Sequence, residues 1–100
     1  MAVKLPSAWR SPVQASDPQV PHVLAVKIGV SALALAQHVK GQAYDAAVEL
    51  ARATDEPRCS ELERAMRVLD VWVSTDTSPA VAEHMAAIHD RVQAFCRAVD

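Results

Sequence analysis

Residues that build tight turns are nearly missing from this chain of 100 residues, which has two glycines and no asparagine. Gly and Asn supply the positive-φ positions that hairpin turns need, and a sandwich or barrel needs many such turns. Hydrophobic residues make up 51% of the chain but aromatic residues only 4%, so its apolar material is mostly Ala, Val and Leu. We therefore predict an all-α fold in one domain.

Helical periodicity begins at Val20 and continues to the end of the chain. Apolar residues recur at intervals of three or four, which predicts helices at about residues 20–39, 42–53, 57–73 and 79–98 within a domain of residues 20–100. The short connections predict a small antiparallel bundle of three to four helices. The most regular apolar positions belong to the last segment, at Val81, Met85, Ile88, Val92, Phe95 and Val99.

The first predicted helix is apolar on most of its circumference, which is typical of a buried central helix. The β-branched residues between His22 and Val30 are also compatible with a strand, but the Ala- and Leu-rich run that follows without a turn favours a helix. A single straight helix through Gly41 would extend beyond the later helices and expose apolar surface. We therefore predict a break or a sharp kink near Gly41, unless a second copy of the chain covers that surface. Residues Gly41 to Ala51, followed by Pro57, resemble the second helix of a tetratricopeptide repeat, which implies a helical hairpin hinged at Gly41.

Prolines at positions 6, 12 and 18 predict an irregular arm over residues 1–19. Its Trp9 leaves two readings open: a flexible arm, or an arm that docks on the bundle or on a partner. The N-terminus lacks the apolar stretch of a secretory signal, and residues 20–39 carry polar side chains. We therefore expect a cytoplasmic protein with no membrane partner.

Three consecutive apolar residues at positions 71–73 cannot all face one core, so part of this cluster needs another cover. Aromatic and Met side chains are typical of binding hot spots. We predict a non-enzymatic interaction module that binds a protein partner or itself, with a homo-oligomer as one form. The predicted interface consists of Trp9, Val71, Trp72, Met85 and Phe95.

An alternative function is a nucleic-acid-associated regulator that uses Arg58, Arg64 and Arg67 as a charged docking face. A net charge of −2 with interspersed acids and bases provides no strong basic patch. The same three arginines are also compatible with an ordinary solvated face balanced by Glu61 and Glu63. We therefore do not expect nucleic acid to be the partner.

The remaining polar residues predict neither a catalytic site nor a metal site nor a cofactor. His84 and His89 are five positions apart and diverge around a helix, so they do not make the i,i+4 pair of metal-binding helices. No Glu-x-x-His sequence, phosphate-binding glycine loop or nucleophile elbow is present in the sequence. The chain is therefore not expected to be an enzyme.

Cys59 and Cys96 are the two cysteines of the chain. Pairing the last two helices about a turn near Asp76 brings these thiols towards each other, since the helices are antiparallel neighbours. Two interpretations stay open: two small buried thiols in a reducing cytoplasm, or a disulfide formed by oxidation. A third hypothesis, a small metal or redox protein, combines the cysteines with His84 and His89.

Overall fold

The computed structural model describes residues 19–99, and they contain four α-helices. The predicted all-α fold is confirmed for these residues. The N-terminal arm and its Trp9 lie outside them, and so does Asp100. None of the described helices is both long and apolar enough to pass through a lipid bilayer. The helices are α1 (Gln19–Ala36), α2 (Gly41–Ala53), α3 (Cys59–Val73) and α4 (Pro79–Val99).

Each helix packs against two others: α1 and α3 both contact α2 and α4. Within the described part of the chain, α1 does not contact α3 and α2 does not contact α4, so these pairs lie diagonally across a four-helix arrangement. Short connections make successive helices antiparallel. The pair α1 and α4 is antiparallel too, because Ser31 of α1 meets Arg91, while His38, two residues after the end of α1, meets His84, which comes earlier in α4.

The core receives side chains from all four helices, because each presents an apolar stripe with helical spacing. Ser31 of α1 is the one buried polar residue in the described range, and the Arg91 guanidinium donates a hydrogen bond to its hydroxyl oxygen. The largest fully buried side chains are Ile28, Leu35, Leu50, Leu62, Leu69, Ile88, Val92 and Phe95.

The chain breaks between α1 and α2 over residues 37–40, which is earlier than the sequence predicts. Helix α1 ends at Ala36, and the His38 N–H closes a tight turn by donating to the Leu35 carbonyl over 2.8 Å. Gly41 has φ +61° and is the first residue of α2. A residue with a side chain is strained in that backbone conformation, so glycine there redirects the chain into the new helix.

Helix α3 begins at Cys59, two residues after the predicted start at Pro57. Arg58 precedes it with an extended backbone and makes no side-chain capping hydrogen bond. Thr54 belongs to the end of α2, where its hydroxyl donates to the Ala51 carbonyl oxygen over 2.6 Å. The hydroxyl therefore closes the preceding helix and does not start the next one.

Candidate interaction surfaces

Helix α1 has an apolar face that points away from the core, and we call it the outer stripe (Val23, Val26, Val30 and Leu33). These four residues are between 46% and 64% exposed. Their spacing of three, four and three positions places them on one side of the helix. The opposite side carries Ile28, Ala32 and Leu35 into the core. Helix α1 is therefore apolar on two sides, and the bundle covers only one of them.

A groove of about 470 Å³ separates the outer stripe from the end of α2 and the loop that follows it. Gly29 lies in this groove, where an added Cβ would stand 3.0 Å from the Thr54 Oγ1. The absence of a side chain at Gly29 therefore lets α1 approach the end of α2 closely. Residues that line the groove include Val26, Val30, Leu33, Ala51, Thr54 and Pro57.

A second exposed apolar cluster lies near the C-terminal end of α3, and we call it the Trp72 patch (Val68, Val71 and Trp72). Trp72 is 46% exposed and Val71 is 66% exposed. The cluster faces away from the core residues Leu69 and Val73 of the same helix. The Trp72 patch belongs to α3 and the outer stripe to its diagonal partner α1, so the two surfaces lie on different helices.

The structure brings together only part of the interface predicted from the sequence. Val71 and Trp72 lie together at the surface, whereas Met85 and Phe95 are buried in the core. The regular spacing of α4 places both of these residues on the same face as Ile88, which contacts the other helices. Trp9 lies outside the described residues.

The outer stripe is the surface that the sequence interpretation missed, because it assigned α1 to the centre of the bundle. The signal was present in the sequence: α1 has two apolar sides and a single charged residue, Lys27. In a ring of four helices, only one side of each helix faces the core. A helix with two apolar sides must therefore expose one of them.

The three arginines of the alternative docking face are all exposed. Arg64 and Arg67 are one turn apart on α3, whereas Arg58 precedes the helix. Arg58 lines a depression that also contains Glu56 and Glu61. This part of the surface therefore mixes both charges.

The histidines of the metal hypothesis have separate partners. The His89 Nε2–H donates to both carboxylate oxygens of Asp70, at 2.8 and 2.9 Å, and so joins α4 to α3. The His84 ring stacks on His38, which lies in the turn after α1, with 5.4 Å between the ring centroids. Five positions along α4 turn these two histidines towards different neighbours, so the structure does not bring them together with the cysteines.

Cys59 and Cys96 form a disulfide that joins the start of α3 to the end of α4, with 5.1 Å between their Cα atoms. The loop at residues 74–78 connects the same two helices at their other end, so the pair is closed at both ends. Glu63 follows Cys59 by one turn of α3. One of its carboxylate oxygens and the two sulfur atoms lie within 4.8 Å of one another.

Comparison of this chain with models of known protein families, with curated proteins and with solved structures finds no match in any of the three.

Proposed function

We propose that this protein is a non-enzymatic interaction module that binds an apolar helix of another protein chain through the outer stripe of α1. The observation that carries the proposal is that Val23, Val26, Val30 and Leu33 form a continuous exposed face on a helix whose other side is already in the core. Helices that are apolar all round are normally buried. Contiguous exposed apolar surface commonly marks a binding site.

A second copy of the chain is the first partner to consider. The spacing of three, four and three positions matches the a and d positions of paired helices. Two copies of α1 present the same stripe to each other, so a twofold arrangement is self-complementary. Stable complexes bury roughly 800 Å² on each partner, and four side chains make a smaller contact. We therefore expect association with a dissociation constant on the order of micromolar.

The proposed location is the cytoplasm, where thiols are kept reduced. There the bond between Cys59 and Cys96 would be reversible, with both the bonded and the thiol form available to the protein. Binding through the outer stripe involves residues of α1 and the groove beside it, so it does not depend on the state of the cysteines.

The proposal is tested by sedimentation over a wide concentration range, comparing the wild type with Val30→Asp and Val71→Asp. The two valines are 64% and 66% exposed and lie on different helices, so they form a matched pair. We expect the wild type and Val71→Asp to associate and Val30→Asp to remain monomeric, because a charge in the seam must lose its water on binding.

A wild type that is monomeric at every concentration would exclude the second copy as the partner. Affinity capture from the native host would then use Val30→Asp as the negative bait and Val71→Asp as the control. A protein retained by the wild type and by Val71→Asp, but lost with Val30→Asp, supports the outer stripe. Loss with Val71→Asp alone would contradict the proposal and favour the Trp72 patch.

A further inference from the structure

The cluster of Cys59, Cys96 and Glu63 has the donor set of a metal site, and none of its residues belongs to either apolar surface. We propose that the dithiol form of this protein binds one Zn²⁺ ion through the two sulfur atoms and the Glu63 carboxylate. The three donor atoms lie within 4.8 Å of one another. Two come from α3 and one from α4, so the site closes the open end of this helix pair.

The chemistry of the donors favours zinc over the harder divalent ions. Thiolates bind Zn²⁺ at about 2.3 Å and carboxylates at about 2.0–2.2 Å, usually in a tetrahedral arrangement. Ligand atoms around such an ion are therefore separated by less than the 4.8 Å that spans this cluster. Mg²⁺ and Ca²⁺ prefer sites made only of oxygen atoms, so two sulfur ligands select against them.

The residues that carry the three ligands are neighbours of buried core residues. Cys59 and Glu63 flank Leu62, which is fully buried, and Cys96 follows Phe95, which is buried as well. The Cα atoms of the two cysteines are 5.1 Å apart, so rotation about each Cα–Cβ bond separates the sulfur atoms without moving the helices. Among the described residues, no cationic side chain forms an ion pair with Glu63, so its carboxylate is available as a ligand.

The site and the disulfide are two alternative states of the same cysteines. A dithiol reductant supplies two electrons and two protons, which break the bond between the sulfur atoms and leave two thiols, while the reductant becomes a disulfide. Binding of Zn²⁺ then releases the two thiol protons to water, because the thiolate is the form that coordinates the metal. In the reverse direction a disulfide oxidant accepts two electrons from the two thiolates and is itself reduced to two thiols, while the bond between Cys59 and Cys96 forms again and the ion, left without its two sulfur ligands, is released. Three protein ligands leave a fourth position, which water can occupy.

The test uses Co²⁺ as a spectroscopic probe on the full chain, reduced and kept free of oxygen. Thiolate coordination of Co²⁺ produces charge-transfer absorption, and its increase during a titration gives the stoichiometry. We expect one Co²⁺ per reduced chain, displaced by one equivalent of Zn²⁺, and no such absorption from the oxidised chain. Glu63→Gln should weaken binding at least about tenfold. Glu61→Gln, a matched change two positions away at an exposed residue, should leave binding unchanged.

Circular dichroism of the same samples keeps the test independent of how well the reduced chain folds. Zn²⁺ binding to a folded site raises the thermal midpoint of the reduced wild type, and it raises that of Glu63→Gln less. Glu63→His, which replaces one metal ligand by another, should restore the midpoint shift. The proposal is overturned by any of three results: no charge-transfer absorption from the reduced chain, equal affinity in Glu63→Gln, or half an ion per chain, which indicates a site shared between two chains.

Discussion

Helices α1 and α4 pack against each other, yet their apolar residues are distributed differently. In α4 the large apolar residues Val81, Met85, Ile88, Val92 and Phe95 lie on the buried side, whereas Val99, the last residue of the predicted stripe, is exposed at the end of the helix. The other side of α4 carries acids, bases and polar residues. In α1 the residues Ile28 and Leu35 are equally well buried, but the outward side is apolar as well.

This contrast separates what folding requires from what it does not. One apolar stripe is enough to hold α4 in the core, so the second stripe of α1 adds nothing to the packing of the described helices. An exposed apolar side also makes the unbound protein less soluble. Within the described residues, the stripe is therefore left available for the contact proposed above.

A charge on the buried side of α4 should destabilise the fold far more than a charge on the exposed side of α1. Ile88→Asp should unfold the protein, because Ile88 has no exposed surface and an isolated carboxylate there loses its hydration. Val30→Asp, at a residue with 64% exposure, should change the free energy of unfolding by less than about 0.5 kcal/mol when measured on the monomer.

Circular dichroism and thermal melting of both variants check this prediction. The helical minima should disappear for Ile88→Asp at ambient temperature and persist for Val30→Asp. If both variants lost their helices, the outer stripe would belong to the core and the distinction between the two helices would fail.

The C-terminal part of α4 is linked covalently to α3 by the disulfide, whereas α1 has no such link within the described residues. Cys59 and Cys96 are 37 positions apart, and closing a loop of that length restricts the unfolded chain by about 4 kcal/mol at 25 °C. The double variant Cys59→Ser with Cys96→Ser should lose about that much stability relative to the oxidised wild type.

Chemical denaturation with and without a thiol reductant provides the measurement. The reductant should lower the denaturation midpoint of the wild type in metal-free buffer and leave that of the double variant unchanged. Equal midpoints for the oxidised wild type and the double variant would mean that packing alone holds the end of α4.

The sequence predicts the buried side of α4 correctly, because one strong stripe on an otherwise polar helix has a single arrangement in a bundle. It also predicts that Cys59 and Cys96 approach each other, since antiparallel helices joined by a short loop fix their register. The same register buries Phe95 and Met85 in the core, so these two residues do not share a surface with Trp72 as the predicted interface requires.

The residues of α1 indicate that one of its two apolar sides is exposed, but they do not indicate which one. With apolar residues all round, Ile28 and Val30 look equally suited to the core, and only the positions of α2 and α4 distinguish them. The proximity of Glu63 to the two sulfur atoms could not be predicted from the sequence either. It depends on the rotation of α3 about its axis, which neither the helix pattern nor the cysteine spacing determines.

Two leucines on α1 compare its buried side with its exposed side, and the expected loss of stability is of intermediate size. Leu35 is fully buried and Leu33 is 52% exposed, although both are leucines in the last turns of one helix. Leu35→Ala should cost about 3 kcal/mol, because it removes buried contacts and leaves a cavity. Leu33→Ala should cost less than about 0.5 kcal/mol.

Urea denaturation at a concentration where the protein is monomeric measures both leucine variants. Similar losses for the two would indicate that the outer stripe is covered within a single chain. A loss for Leu33→Ala that appears only at high protein concentration would instead indicate that the stripe is covered by association.

The smallest effect concerns a hydrogen bond that joins α1 to α4. The Arg91 guanidinium donates to the hydroxyl oxygen of Ser31, which is 5% exposed. Ser31→Ala and Arg91→Ala should each cost about 1 kcal/mol, because each leaves the other group without its partner. In the double variant the losses should not add, and a double-mutant cycle should give a coupling of roughly 1 kcal/mol.

Arg64→Ala is the control for this cycle, because Arg64 is an exposed arginine on α3, diagonal to α1. Its effect should stay within about 0.5 kcal/mol of zero, and it should add to that of Ser31→Ala. Additive losses for Ser31→Ala and Arg91→Ala would mean that the contact does not stabilise the fold. The pairing of α1 with α4 would then depend on the buried apolar residues of the two helices alone.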